Sequence, residues 1–190
     1  MRLVLASSSP RRLALLAQAG ITPDLVLAPD VEERALTREL PPAMARRLAE
    51  AKLSAVAERE PDAFVLAADT VVACGRRALD KTETLEAARA HLKLISGRRH
   101  QVITAVAVTP PRGRAVVRLI RTAVRLKRLH ETEIEAYLAT GEWRGKAGAY
   151  AIQGAAEAFV IGINGSYSNV VGLPLCASVA LLRGLGWQPR

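Results

Sequence analysis

Cysteine is scarce in this sequence of 190 residues: Cys74 and Cys176 are the only two, and they lack metal-ligand spacing. A disulfide framework and a cysteine-built zinc site are thereby disfavoured, and two buried thiols are expected. Aromatic residues make up 4% of the chain, too few to interleave with basic residues as stacking platforms for single-stranded nucleic acid. Long apolar runs are missing as well. Every hydrophobic stretch is broken by Arg, Lys or Asp well short of the ~20 residues that cross a bilayer. The opening MRLVLASSSPRR places its apolar stretch before its basic one, the reverse of a signal peptide, so a soluble cytoplasmic protein with no membrane partner is expected. Without repeats, low-complexity tracts or linkers, residues 1–190 read as a single domain.

The composition is half hydrophobic, enough for a substantial core, and the formal net charge is +9. Such a charge attracts polyanions, whether nucleic acid, phosphorylated small molecules or acidic membranes, and does not choose among them. The low aromatic content favours the small phosphorylated ligand and leaves nucleic acid as the weaker partner.

Periodicity predicts a strand from Arg2 to Ala6, a Ser/Pro/Arg loop, and a helix from about Pro10 to Ala19 that stops at Gly20. Asp24 to Ala28 reads as a second strand and Asp30 to Glu33 as an acidic loop. A long helix starts near Pro41 or Pro42, with Met44, Leu48, Ala51 and Ala55 at helical spacing. AFVLAADTVVA reads as a buried strand, Thr84 to Ile95 as a helix, and Gln101–Thr109 with Ala115 to about Leu129 as a hairpin. In its second strand Thr122, Val124 and Leu126 alternate with Arg121, Ala123, Arg125 and Lys127, which implies one apolar and one solvated basic face. Glu131 to Ala139 fits a helix, the glycine-rich GEWRGKAGAYAIQG a loop, Phe159 to Ile163 a strand, and Pro174 to Leu185 a last helix.

The segment SSSPRR joins hydroxyls, the amides of a helix start and two guanidiniums, a combination that binds anions. A serine cap followed by proline accounts for Ser9 and Pro10 without any ligand, but leaves Arg11 and Arg12 unexplained. Asp69 lies in the apolar LAADTVV, where a carboxylate is costly to bury unless paired or bound to a cation; otherwise it caps a turn at an exposed strand end. Glu32 and Glu33, as acidic loop residues, are either solvated or, with Asp69, oxygen ligands for a hard cation. Lys52 follows Leu48 by four residues and sits at the edge of its helix's apolar stripe, from which its ammonium reaches a cleft or merely snorkels. Lys81 reads as a turn lysine unless an anion lies opposite. His100 and Trp143 read as structural, one hydrogen-bonded and the other packed.

In this order, LASSSPRRLALL, VEE, LAEAK, LAADTVV, Lys81, SGRRHQVITAV, GKAGAYAIQG and GSYSNVVGLPL resemble the Maf family from Leu3 to about Leu182. KAGAYAIQG further resembles the subgroup acting on dTTP and UTP. The resemblance implies an α/β fold, a bent mixed β-sheet with flanking helices forming two lobes around a cleft, related to the inosine triphosphate pyrophosphatases. The implied activity is house-cleaning hydrolysis of a nucleoside triphosphate to monophosphate and pyrophosphate. It makes Asp69 the proton acceptor, with Arg11, Thr70 and Gln153 sensing the substrate. Ser9, Arg12, Lys52 and Lys81 then complete the phosphate site, and Glu33, preferred over Glu32 by segment alignment, joins Asp69 at a divalent cation, with Mg²⁺ expected. A homodimer follows by family analogy. Two alternatives stay open: a broader pyrophosphatase accepting CTP or modified nucleotides, and a basic nucleic-acid-binding or division-related interaction protein. One departure stands out, since Thr82 occupies the place after Lys81 where the family commonly has proline, which predicts a more mobile loop there.

Overall fold

The computed structural model describes residues 1–189. Seven strands form one mixed sheet: β1 (Leu3–Ala6), β2 (Leu25–Leu27), β3 (Phe64–Cys74), β4 (Arg77–Leu79), β5 (Arg99–Thr109), β6 (Val116–Leu126) and β7 (Val160–Asn164). Their order is β2-β1-β3-β5-β6-β7, with β4 also paired to β3. The β1 pairings are parallel and the others antiparallel. Six α-helices flank the sheet: α1 (Pro10–Gln18), α2 (Pro41–Ala57), α3 (Leu85–Ile95), α4 (Glu131–Thr140), α5 (Tyr167–Val171) and α6 (Leu175–Gly184). A short 3₁₀ turn covers Ala155–Phe159. Among the described residues, no helix is long and apolar enough to cross a membrane.

Strands β3 and β5 are 11 residues each and run through two packed regions. Because side chains alternate across a strand, the first half of β3 buries Val65 and Ala67 against α2 residues such as Ala45, Ala49 and Leu53. Its opposite face buries Phe64 and Leu66 with Leu16 of α1 and Leu182 of α6. The second half enters a different cluster, in which Val72 meets Leu92 and Ile95 of α3 and Ile134, Tyr137 and Leu138 of α4. Between the halves, one edge of β3 changes partners: β1 pairs with residues 64–67 and β4 with 72–74. Residues 68–71 have no strand partner on that edge, and a cleft opens there.

The expected elements are present, with shifts of a few residues at their ends. Three short pieces escaped the periodicity: β4, the 3₁₀ turn and α5, each too brief to complete a repeat. In β6 Thr122, Val124 and Leu126 are buried and Arg121 and Arg125 exposed as expected, but Ala123, expected on the solvated face, is buried as well. Lys127 pairs with Glu133 at 2.6 Å. The expectation of two buried thiols fails. Cys74 is half-buried where β3 leaves the core, and Cys176 is exposed because α6 buries the side carrying Ser178, Leu181 and Leu182.

Candidate active site

Asp69 and Thr70 pair with β5 on one edge of β3, lack a strand partner on the other and, as neighbours in a strand, point to opposite faces. Asp69 turns toward α2. Its side chain is 7% exposed, and its Oδ1 accepts a hydrogen bond from Lys52 Nζ at 2.6 Å. Lys52 is not at the edge of the α2 stripe: the buried positions Met44, Ala45, Leu48, Ala49, Lys52, Leu53 and Val56 place it inside, whereas Ala51 and Ala55 are only half-buried. A lysine holds that place because Asp69 lies beneath it, so that each buried charge has a partner.

The same ammonium contacts Glu33 Oε1 at 2.5 Å, and the other oxygen of Glu33 accepts from Lys81 Nζ at 2.5 Å. Lys81, Glu33, Lys52 and Asp69 thus form a chain of alternating charge across the cleft. Burial alone would raise the Glu33 carboxyl, but Lys52 and Lys81 outweigh it and hold the group down at about 2. Glu32 does not line the cleft, which separates the two adjacent glutamates by geometry.

Thr70 turns toward α1. Its hydroxyl lies 3.0 Å from Thr104 Oγ1 and 3.4 Å from the Arg12 Nη2 that donates to it. Arg12 also donates from Nε to the Gly172 carbonyl at 2.9 Å and from Nη1 to Ser7 Oγ at 3.3 Å. All three guanidinium nitrogens therefore bond to neutral oxygens, which fixes the group without cancelling its charge. Burial lowers the Arg12 pKa, and the carboxylate of Asp69 opposes that shift. Gly172 has φ +130, in a region where side chains are strained, and follows α5 as its C-cap. It was missed as a site residue because its contribution is a carbonyl 160 residues from Arg12.

Ser9 caps α1 by position, yet its side chain makes no capping bond and lines the cleft, so capping does not account for its hydroxyl. Arg11 lines the same recess, and burial lowers its pKa. Gln153 is exposed on the opposite wall, and among the described residues its amide has no hydrogen-bond partner. Its loop is tied down at several points. Lys81 and Ala147 form an antiparallel bridge, Gly145 N donates to the Thr82 carbonyl at 3.1 Å, and Gly148 N to the Leu79 carbonyl at 3.2 Å. Thr82 is buried in that contact, so the loop expected to be mobile is anchored by its backbone. His100 and Trp143 are structural: His100 Nε2 lies 2.8 Å from Tyr150 Oη, and Trp143 Nε1 donates to the Leu138 carbonyl at 2.9 Å.

Ser9, Arg11, Arg12, Glu33, Lys52, Asp69, Thr70, Lys81 and Gln153 all line one recess of about 120 Å³. Glu33, Asp69, Thr70, Lys81 and Ala147 also wall an adjoining recess of about 450 Å³. The first alone is small for a ligand site, but the two together fall in the range of roughly 300–1,000 Å³ that holds a nucleotide-sized molecule. The sequence reading missed Ser7, Lys146 and Gly172 on the walls. Lys146 was legible in the motif GKAGAYAIQG as its one charge.

The family model for Maf-like protein matches residues 2–185. A dTTP/UTP pyrophosphatase of Paramagnetospirillum magneticum is 57% identical over 98% of this chain and 98% of its own length. A dTTP/UTP pyrophosphatase of Caulobacter vibrioides is 54% identical over 98% of this chain and 97% of its own. Among solved structures, the Ham1 protein of Staphylococcus aureus aligns with TM-score 0.47 and 19% identity over 66% of this chain and 72% of that one, too distant to add to the sequence matches. With the family model spanning the residues that build the cleft, and relatives above half identity over nearly their full length, the chain belongs to the Maf family.

Proposed function

We propose that this protein hydrolyses dTTP and UTP to the nucleoside monophosphate and pyrophosphate, with residues 1–190 acting as one catalytic unit. The observation that carries the proposal is the buried Asp69 carboxylate, held by Lys52 in a cleft that Arg11, Arg12 and Lys81 make electropositive. A triphosphate needs cations to neutralise it and a base to direct water at the reacting phosphorus. Lys52 holds Oδ1 of Asp69 and orients the group, leaving the second carboxylate oxygen to take the proton of the attacking water. Arg12, fixed by Ser7, Thr70 and Gly172, meets the negative charge that grows on the phosphoryl oxygens. Ser9 and Lys81 add a hydroxyl and a second ammonium to the phosphate site.

The carboxylates of Asp69 and Glu33 are hard oxygen donors that fit a divalent cation such as Mg²⁺. Among the described residues no three His, Cys, Asp or Glu side chains group to hold a metal. A cation such as Mg²⁺ is commonly held by one or two carboxylates and completes its shell with phosphate oxygens and water. When bound, it supplies charge neutralisation and polarises a phosphoryl oxygen.

Gln153, unpaired on the rim, offers a donor and an acceptor to a pyrimidine imide that presents both. Pyrophosphate release over a panel of canonical and modified triphosphates, with Mg²⁺ and with chelator, tests the proposal. Turnover is expected to be highest for dTTP and UTP and to vanish with chelator. In Gln153→Ala, the preference for UTP over GTP is expected to fall several-fold to about a hundredfold, the cost of one lost polar contact. High turnover of CTP or a modified nucleotide by the wild type would establish the broader pyrophosphatase instead, and an unchanged UTP/GTP ratio in the variant would place base recognition elsewhere.

A further inference from the structure

The cleft carries more positive charge than its own acids can balance. Five cationic side chains line its smaller recess, Arg11, Arg12, Lys52, Lys81 and Lys146, against two carboxylates, Glu33 and Asp69, and the adjoining recess adds one of each sign, Arg34 and Asp80. Lys52 and Lys81 are both in contact with those carboxylates. Arg12 is held by neutral oxygens. Among the described residues, Arg11 and Lys146 have no ion pair. Among the described residues, the only hydrogen bond of the Lys146 ammonium is to the Arg144 carbonyl at 3.1 Å.

Both groups are partly withdrawn from water, and both are held lower than usual by that burial. Arg11 and Lys146 line the same recess, and the charge of Arg11 adds to the lowering at Lys146. Glu83 and Glu142 oppose the shift only from beyond contact distance. Glu142 is also occupied, accepting from the Ala155 amide at 2.9 Å. Two neighbouring cations with no carboxylate between them repel each other, and an anion bound between them relieves that repulsion.

The backbone keeps Lys146 in place. Its own N–H donates to the Trp143 carbonyl at 3.1 Å, and the bonds of Gly145 to Thr82 and Gly148 to Leu79 fix the turn on either side. We propose that Lys146, together with Arg11, forms the subsite for the leaving pyrophosphate, which makes Lys146 a substrate-binding residue of the cleft. This rests on the pyrophosphatase reading. In an in-line displacement at the α-phosphorus, water and leaving oxygen stand on opposite sides of that atom. Asp69 and Glu33 mark the side of the water. The β- and γ-phosphates therefore extend toward the cations that no carboxylate has neutralised.

Titration calorimetry with inorganic pyrophosphate, and separately with dTMP, in excess Mg²⁺ tests the subsite on wild type, Lys146→Met and Lys146→Arg. The loss of a charge-assisted hydrogen bond predicts pyrophosphate affinity lower by roughly ten- to a hundredfold in Lys146→Met. Affinity for dTMP is expected to change less than about twofold, and Lys146→Arg to recover most of the loss, since it restores the charge. Equal pyrophosphate affinity in wild type and Lys146→Met overturns the subsite, as does a parallel loss of dTMP affinity, which marks a structural role. Wild-type protein that binds pyrophosphate in this Lys146-dependent way but releases none from any triphosphate overturns the hydrolase reading and supports the anion subsite alone.

Discussion

Removing the charge of Asp69 does not strand Lys52, because Glu33 Oε1 stands 2.5 Å from the same ammonium. Asp69→Asn is therefore expected to stay folded, with an amide oxygen still able to accept from Lys52. Its hydrolysis should fall by about 10²- to 10⁴-fold or more, since the amide can neither take the water's proton nor act as a carboxylate ligand. Turnover within a few-fold of wild type by a cooperatively melting variant would remove Asp69 from the mechanism. His100 makes a different residue-scale prediction. Burial depresses its pKa from 6.5 to about 4, while Nε2 stays bonded to Tyr150. The unfolded chain takes up the proton first as pH falls, so stability is full above about 6.5 and declines between about 6.5 and about 4. Urea denaturation across that window should show the decline in wild type and a shallower one in His100→Gln. Identical slopes would show that other groups set the acid sensitivity.

At the scale of elements, the loop between α4 and the 3₁₀ turn carries both Lys146 and Gln153, and its shape depends on Gly148. That glycine has φ +72, and a Cβ there would stand 2.8 Å from Val72 Cγ1. Valine is stiff at χ1 and cannot swing aside easily. Gly148→Ala is expected to lose about 2–4 kcal/mol from the left-handed backbone and the overpacking together. Its KM for dTTP should rise as the loop shifts. Chemical denaturation with steady-state kinetics checks both, and wild-type values for both would show that the loop absorbs the methyl group. Elements of this kind explain what was legible beforehand. SSSPRR and LAADTVV carry an anion-binding loop and a costly buried carboxylate in adjacent residues, so both could be read from the chain alone, whereas GKAGAYAIQG read only as a loop and its place at the site was implied by the family resemblance. The buried Lys52 could not, because its place inside the α2 stripe depends on Asp69, 17 residues away and on another element. The Gly172 carbonyl and the Thr104 hydroxyl behind Thr70 are tertiary partners that no local pattern marks. The same holds for β4 and α5, whose three and five residues fall short of a readable period.

For the molecule as a whole, the two packed regions share β3 and β5, and the reaction centre sits where β3 passes from one region to the other. That arrangement lets residues from the first helix, the second helix and the late loops meet without long excursions of chain. The net charge of +9 is general, but in the cleft it becomes specific: paired cations beside the carboxylates, unpaired ones beyond them. On the proposed mechanism this polarity places the attacking water on the Asp69 side and the leaving group on the Arg11 side. The central claim is hydrolysis by water attack at the α-phosphorus, and hydrolysis of dTTP in ¹⁸O-labelled water, with mass analysis of both products, reads the attacked phosphorus directly. The account predicts the label in dTMP and none in pyrophosphate; label in pyrophosphate, or dTDP and labelled orthophosphate as the main products, would contradict it.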